Sequence, residues 1–218
     1  MRRRCPTLAL WLGPLGAAMG QCTFSSPPTG PTGAVTAMTA WDPDGTGPLP
    51  ENLVVGGLFA GAAGQPALNI AMWDGSGWSA LGLGLNAQVR ALGVYQGSLI
   101  AGGDFTLSGT SVVGRLARWT GSAWEPFGSQ QPDGTVHALA ISGGTLYVGG
   151  AFQHLGAVGA SAVARFDGAS WSALGSGMNG PVRALLPDGP GSLYAAGSFG
   201  TAGGVEARDI ARWSGSSW

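Results

Sequence analysis

An aromatic repeat of 46–47 residues constrains the fold of this chain more than any other sequence feature. Tryptophans recur at intervals of 46, 47 and 47 residues, at Trp78, Trp124, Trp171 and Trp218. Two further sets of aromatic residues recur at the same intervals and so occupy equivalent positions, or stations, of the repeat. They are Phe59, Phe105, Phe152 and Phe199, and Trp73, Trp119, Phe166 and Trp213. A fixed period of this length is typical of folds that repeat one supersecondary unit. We therefore divide residues 35–218 into four copies, approximately 35–88, 89–135, 136–181 and 182–218.

Each copy is predicted to form a four-stranded antiparallel meander. Short apolar runs separated by turn residues are typical of strands, and no segment keeps a sustained helical period. Asp-Gly pairs such as Asp167-Gly168 predict the tight hairpin between the third and fourth strands. In the third copy the four predicted strands are Val136–Ile141, Thr145–Phe152, Ala162–Phe166 and Ser170–Leu174.

The copies are predicted to pack face to face as the blades of a β-propeller or of an open propeller arc. A single meander cannot bury both of its faces, and four-stranded repeats of this length pack radially. Glycine pairs inside the second strand (Gly56-Gly57, Gly102-Gly103 and Gly149-Gly150) predict a close approach of another backbone. The 41 glycines and the low charged fraction of 10% exclude a helical protein and an ordinary disordered chain. A β-sandwich is the alternative fold.

Several of these motifs resemble those of a known repeat family. The letters LYVGG at residues 146–150, RFDG at 165–168 and Trp171 followed by SALG resemble a kelch-type blade. The fuller pattern GGxF…IARWxGxxW is similar to repeats of the fungal cortical cell-polarity marker family and of exported bacterial proteins. The resemblance covers residues 35–218. It implies a propeller fold and says almost nothing about function.

The fourth copy stops at Trp218, within its expected fourth strand. This departure from the repeat predicts a fragment of a longer array. An open or oligomerising four-repeat protein is the alternative, and self-association through open blade edges is expected in that case.

The first twenty residues are predicted to be a secretory signal peptide. Arg2, Arg3 and Arg4 precede an apolar stretch too short to span a bilayer, and cleavage before Gln21 fits the small residues upstream. Residues 21–34 are predicted to be a linker, and the protein is predicted to be secreted or at the cell surface, without a membrane span after signal removal. A lipoprotein anchored at Cys22 is an alternative, although Gln21 is not the small residue that it requires. Cys22 would be the single cysteine of the mature chain.

No catalytic, metal-binding or cofactor-binding residues are assigned from the sequence. The GxGxxG match at 175–180 lies between strands, without the helix that a dinucleotide site needs. Asp42–Gly45 lacks the later ligands of a calcium loop, and His137 and His154 are not at zinc-ligand spacing. A net charge of −1 predicts no nucleic-acid partner. The alternative is that these are blades of a larger kelch-type secreted enzyme with catalytic residues elsewhere.

A non-catalytic binding or structural scaffold is the predicted function, with protein or glycan bound through one propeller face. Scaffold-held loops are where binding residues usually lie. Arg90, His137 and Arg183 share one register of the innermost strand, where they either line the central channel or simply alternate on a pleated strand. The candidate binding residues on the loop face are Asn86, Gln88, His154, Asn179 and Glu206.

Overall fold

The computed structural model describes residues 29–45 and 47–218, and within these ranges the chain is all-β with no helix. It follows that no helix in the described ranges is long and apolar enough to cross a membrane. The predicted signal peptide, Cys22 and most of the predicted linker lie outside the described residues.

Each copy contributes the strands of one main sheet and a hairpin of two-residue strands. The strands of the first copy are β1 (Ala34–Trp41), β2 (Asn52–Leu58), β3 (Gly61–Ala62), β4 (Gln65–Pro66), β5 (Ile70–Trp73) and β6 (Trp78–Ala80). Those of the second are β7 (Val89–Tyr95), β8 (Ser98–Gly103), β9 (Leu107–Ser108), β10 (Ser111–Val112), β11 (Leu116–Trp119) and β12 (Trp124–Pro126). Those of the third are β13 (Val136–Ser142), β14 (Thr145–Gly150), β15 (His154–Leu155), β16 (Val158–Gly159), β17 (Val163–Phe166) and β18 (Trp171–Ala173). Those of the fourth are β19 (Val182–Pro187), β20 (Leu193–Gly197), β21 (Thr201–Ala202), β22 (Val205–Glu206) and β23 (Ile210–Trp213).

The main sheets are antiparallel meanders, which we call blades 1 to 4. Their strand orders are β1-β2-β5-β6, β7-β8-β11-β12, β13-β14-β17-β18 and β19-β20-β23. The predicted repeat of four-stranded blades with an incomplete last copy is therefore confirmed. The small hairpins between the second and third blade strands were not predicted.

Consecutive blades pack face to face, beginning with their innermost strands β1, β7, β13 and β19. Val54 and Ile70 of blade 1 share a buried cluster with Leu99 of blade 2. Equivalent clusters join blade 2 to blade 3 around Leu116 and Leu146, and blade 3 to blade 4 around residues such as Leu193. Each blade thus buries its apolar faces against its neighbours in chain order.

The glycine pairs serve two different contacts. A Cβ on Gly149 would lie 2.6 Å from Cγ1 of Val182 in the next blade. A Cβ on the following residue, Gly150, would instead meet the backbone carbonyl of Thr135 in its own blade. The predicted approach of another backbone is therefore found only within the blade, at the second glycine, whereas across the blade interface the first glycine accepts a valine side chain.

The turns that follow the third strand of each blade have the predicted glycine conformation. Gly75, Gly121, Gly168 and Gly215 have φ between 98° and 105°. In the first of these turns, Oδ1 of Asp74 accepts hydrogen bonds from the amides of Ser76 and Gly77 at 2.7 and 2.8 Å. The aspartate therefore closes the turn that the glycine permits.

Candidate functional site

The loops that enter a blade and the loops between its second and third strands meet on one face of the molecule. Oδ1 of Asn86 accepts hydrogen bonds from the amides of Thr106 and Leu107 at 2.8 and 2.9 Å. Two repeats later, Oδ1 of Asn179 likewise accepts hydrogen bonds from the amides of Gly200 and Thr201 at 2.8 and 2.9 Å. These side chains hold two loops together at equivalent stations, so the loop face is well supported.

Asp133 occupies this same station between the second and third blades. Its Oδ1 accepts from the amides of Gln153 and His154, and its Oδ2 lies 3.0 Å from Nδ1 of His154. Burial alone would raise the pKa of Asp133, but the hydrogen bonds from His154 and Gln153 outweigh it and lower the pKa. The predicted candidate His154 is therefore engaged with a structural aspartate.

The remaining candidates also lie on this face. Glu206 forms an exposed ion pair with Arg208, with Oε1 3.1 Å from Nη2. The backbone carbonyl of Gln88 accepts a hydrogen bond from the amide of Asp104 at 3.0 Å. The binding role of the five candidates stays a prediction, and for Asn86 and Asn179 the geometry adds a structural role that the sequence did not indicate.

A second group of polar residues lies along the innermost strands, at a bulge near the start of each one. The pairing register shifts between Val89 and Ala91, and the strands of the other three blades shift at the same station. A bulge redirects the side chain of the extra residue. The bulged residues are Thr36, Arg90, His137 and Arg183.

Arg90, His137 and Arg183 form one electrostatic group, which we call the axial cluster. The charges of both arginines act on His137, as does that of Asp104. Arg90 pairs with Asp104, at 2.9 Å from Nε and 2.8 Å from Nη2 to Oδ2. The three innermost strands thus bring together three residues that lie 93 positions apart from first to last.

The axial cluster extends across the blade boundaries. Oγ1 of Thr135 donates to Oδ1 of Asp104 at 2.8 Å, which joins blade 3 to blade 2. Nε of the exposed Arg183 donates to the hydroxyl of Ser198 at 3.3 Å. Arg90 therefore has a carboxylate partner, whereas the hydrogen bond made by Arg183 is to a neutral group.

Burial and charge shift the titration of this group. Burial lowers the pKa of His137, and the positive charges of Arg90 and Arg183 lower it further, against the opposing effect of Asp104. Burial would raise the pKa of Asp104, but hydrogen bonds from Arg90 and Thr135 bring about a net decrease. At neutral pH the cluster therefore carries two arginine charges, one carboxylate charge and a neutral histidine.

The arginines of the third blade strands recur at one position of the repeat, which predicts a structural role through stacking on tryptophan or through an aspartate partner across strands. Arg118 pairs with Glu125 across β11 and β12, and Arg165 donates from Nε to the Ser172 hydroxyl at 3.0 Å. Arg212 pairs with Asp188 at 2.6 Å, and its guanidinium lies 5.9 Å from the centre of the Tyr194 ring. Arg212 thus has an aspartate partner, one of the two that we predict, and the aromatic ring beside it is a tyrosine rather than a tryptophan.

Sequence reasoning placed Arg90, His137 and Arg183 in one register but did not find Asp104, Thr135 or Ser198. Asp104 directly follows the glycine pair Gly102-Gly103, and this position beside the inner strand was the available signal. Within residues 29–45 and 47–218, no group of three or more histidine, cysteine, aspartate or glutamate side chains is arranged to hold a metal ion. Compared with known proteins, the chain matches no protein-family profile and no curated protein.

Proposed function

We propose that the chain is a non-catalytic binding scaffold whose loop face recognises an acidic ligand at the axial cluster. The observation that carries this proposal is the convergence of Arg90, His137 and Arg183 on neighbouring inner strands. An arginine guanidinium binds a carboxylate through paired hydrogen bonds, and Arg183 is an exposed residue. The ligand chemistry is therefore a carboxylate, carried by an acidic glycan or by an acidic segment of a protein.

The binding face owes its rigidity to the clamped loops. Asn86, Asp133 and Asn179 fix the loops that surround the start of each inner strand. Groups held in place before binding lose little conformational freedom when the ligand arrives. The candidates Gln88 and His154 lie on this same face and are proposed to contact the ligand beyond the axial cluster.

The test is calorimetric titration with two probes, an oligogalacturonate and a poly-glutamate peptide. Arg183→Gln is expected to weaken binding by about tenfold or more, because it removes a charge-assisted contact. Arg118→Gln is the matched control, since Arg118 is an exposed arginine paired with Glu125 across β11 and β12, outside the cluster and away from the candidate loop residues. Binding of neither probe, or an equal loss in both variants, would contradict the proposal.

The proposal also fixes a direction of pH dependence. Protonation of His137 adds a positive charge to the cluster, and its pKa lies below the ordinary histidine value of about 6.5. Affinity for the acidic probe should therefore rise as the pH falls below about 6.5, down to the range where the probe itself becomes protonated. His137→Gln should remove this rise, and an unchanged pH profile in that variant would rule out the assigned role.

An exported location is proposed from the N-terminal sequence alone. Mass spectrometry of the full chain expressed in a bacterial host with a secretion pathway tests it. A mature N-terminus at Gln21 is expected. An acylated Cys22 would support the lipoprotein alternative, and an intact N-terminus in the cytoplasmic fraction would contradict export.

A further inference from the structure

The two end faces of the blade array expose apolar side chains at stations that are buried everywhere else. Val35 of blade 1 is 39% exposed, whereas its equivalents in the other three blades are fully buried at Val89, Val136 and Val182. Ile210 of blade 4 is 60% exposed, whereas its equivalents are fully buried at Ile70, Leu116 and Val163. We call the exposed surface of blade 1 the leading face (Val35, Met38, Leu53) and that of blade 4 the trailing face (Leu186, Tyr194, Ile210).

We propose that a second copy of this chain covers these faces, with the trailing face of one copy packed on the leading face of the next. The internal blade interfaces each join a trailing face to a leading face in this same order. The end faces are therefore the two halves of an interface that the chain already forms three times. This inference goes beyond the proposed ligand binding and does not depend on it.

Side-chain volumes at the two end faces complement each other in a way that favours this occupant. Between blades 2 and 3, the small Gly93 faces the large Ile141, whose Cδ1 would lie 2.9 Å from a Cβ at position 93. The equivalent station on the trailing face is the large Leu186, which is 65% exposed. The residue of the leading face that would lie opposite Leu186 is the small Ala40, the equivalent of Ile141. At the seam the large residue therefore comes from the trailing face and the small one from the leading face, the reverse of the arrangement between blades 2 and 3.

A recess beside the trailing face has a matching insert on the leading side. At the first blade boundary, the amide of Leu85 donates to the carbonyl of Leu68 at 3.0 Å, and Nδ2 of Asn69 donates to the carbonyl of Leu85 at 2.7 Å. Leu85 is fully buried there. In blade 4 the stations of Leu68 and Asn69 are Arg208 and Asp209, and they border a recess of about 510 Å³.

The residue that would enter this recess from the next copy is Pro31. It lies four positions before Val35, as Leu85 lies four positions before Val89. Pro31 bridges to Ala62 of the β3–β4 hairpin, just as Met178 bridges to Ala202 in the last copy. The segment ahead of blade 1 therefore has the same local structure as the internal connections.

Three differences make this seam weaker than the internal interfaces. Pro31 has no amide N–H to donate as Leu85 does, and the carboxylate of Asp209 cannot donate as Nδ2 of Asn69 does. The glycine that accepts the valine of the next blade is replaced in blade 4 by Ala196. At the equivalent Gly149, a Cβ would lie 2.6 Å from Cγ1 of Val182, so Val35 must rotate or the seam must open slightly. We therefore expect reversible, concentration-dependent association, and Ala196→Gly should strengthen it.

Because the two contacting faces differ, the association is head to tail. Such contacts produce rings where the rotation closes and open chains where it does not. The test is analytical ultracentrifugation of the full chain under reducing conditions, which prevents disulfide formation by Cys5 or Cys22. The wild-type chain is expected to shift from monomer to larger species as concentration rises.

Two charge variants make the prediction specific. Leu186→Asp on the trailing face and Met38→Asp on the leading face should each weaken association by about tenfold or more, because each would place an uncompensated charge in an apolar contact. Both side chains are exposed in the single chain, so these variants should fold. Val112→Asp, at an exposed apolar residue of the β10 hairpin strand, is the matched control.

Mixing the variants tests the head-to-tail geometry. Leu186→Asp retains an intact leading face and Met38→Asp an intact trailing face, so an equimolar mixture should form a one-to-one heterodimer. A further blade of the longer array predicted from the repeat is the other occupant that fits the trailing face, and a wild-type chain that stays monomeric at all concentrations favours it. Such a chain would overturn the proposal. So would association that survives both face variants, or that Val112→Asp reduces equally.

Discussion

At each internal blade boundary, a glycine without a side chain accepts the valine that begins the next blade. Gly102 takes Val136, and Gly149 takes Val182 at 2.6 Å from a would-be Cβ. The valine is fully buried in both cases. Since protein interiors are close-packed, one added methyl group at the glycine must displace the valine or separate the blades.

Gly102→Ala is therefore expected to reduce the free energy of unfolding by about 1–3 kcal/mol, as overpacking does. Equilibrium denaturation measures this loss. Gly77→Ala is the matched control, because nothing lies within 4 Å of a Cβ built at position 77. The double variant Gly102→Ala/Val136→Ala should recover part of the loss, and a Gly102→Ala protein as stable as the control would contradict the packing described.

Asp74 gives a residue-scale prediction for acid stability. The hydrogen bond from the Ser76 hydroxyl, with those from the Gly77 and Ser76 amides, lowers the pKa of Asp74 to about 2. Because the folded pKa is depressed, the contribution is present above the unfolded pKa of about 4 and is lost as the pH falls through about 2. The denaturation midpoint of Asp74→Asn should therefore decrease less than that of the wild type between pH 5 and pH 2, measured at intervals of about one pH unit. An unchanged pH profile would be inconsistent with this turn.

At the scale of the strand, two of the four repeat tryptophans, Trp124 and Trp218, connect a blade to its predecessor. Nε1 of Trp124 donates to the carbonyl of Leu81 at 3.0 Å, and Nε1 of Trp218 to the carbonyl of Leu174 at 2.7 Å. Trp171 occupies the same station, but within the described residues its buried Nε1 has no hydrogen-bond partner. The repeat therefore contains a natural comparison of the same side chain with and without this bond.

Trp124→Phe is expected to destabilise the chain by about 1–2 kcal/mol more than Trp171→Phe, because only the first substitution removes a buried hydrogen bond. Both substitutions remove similar ring volume, so the second is the control for packing. Thermal and urea denaturation of the two variants measure the difference. Equal losses would show that the Leu81 contact contributes nothing.

The sequence predicted the elements well where a pattern repeats. The predicted Val136–Ile141 and the observed β13, Val136–Ser142, differ by one residue, because four equivalent apolar runs define the same boundaries. The bulge beside His137 was not predictable, since it depends on how β13 pairs with β14 and leaves no mark on apolar alternation. The roles of Asn86 and Asn179 were missed for a related reason, because their backbone partners lie 20 to 22 residues away.

At the scale of the whole molecule, the stacking of blades explains both proposals. Stacking places three inner-strand bulges near one axis, where the axial cluster forms. The same stacking leaves one apolar face uncovered at each end of the array. The ligand-binding proposal concerns the axis and the association proposal concerns the ends, so either one can fail without the other.

The most direct test of the stacked array is the rate of thiol labelling at four equivalent positions. Single cysteines would replace Ile70, Leu116, Val163 and Ile210 in a background with Cys5 and Cys22 changed to serine and Leu186→Asp to keep the chain monomeric. The account predicts labelling at position 210 at least about 100-fold faster than at the other three positions, where the thiol reacts only after local opening. A labelling rate at position 210 equal to the rates at the other three positions would contradict it.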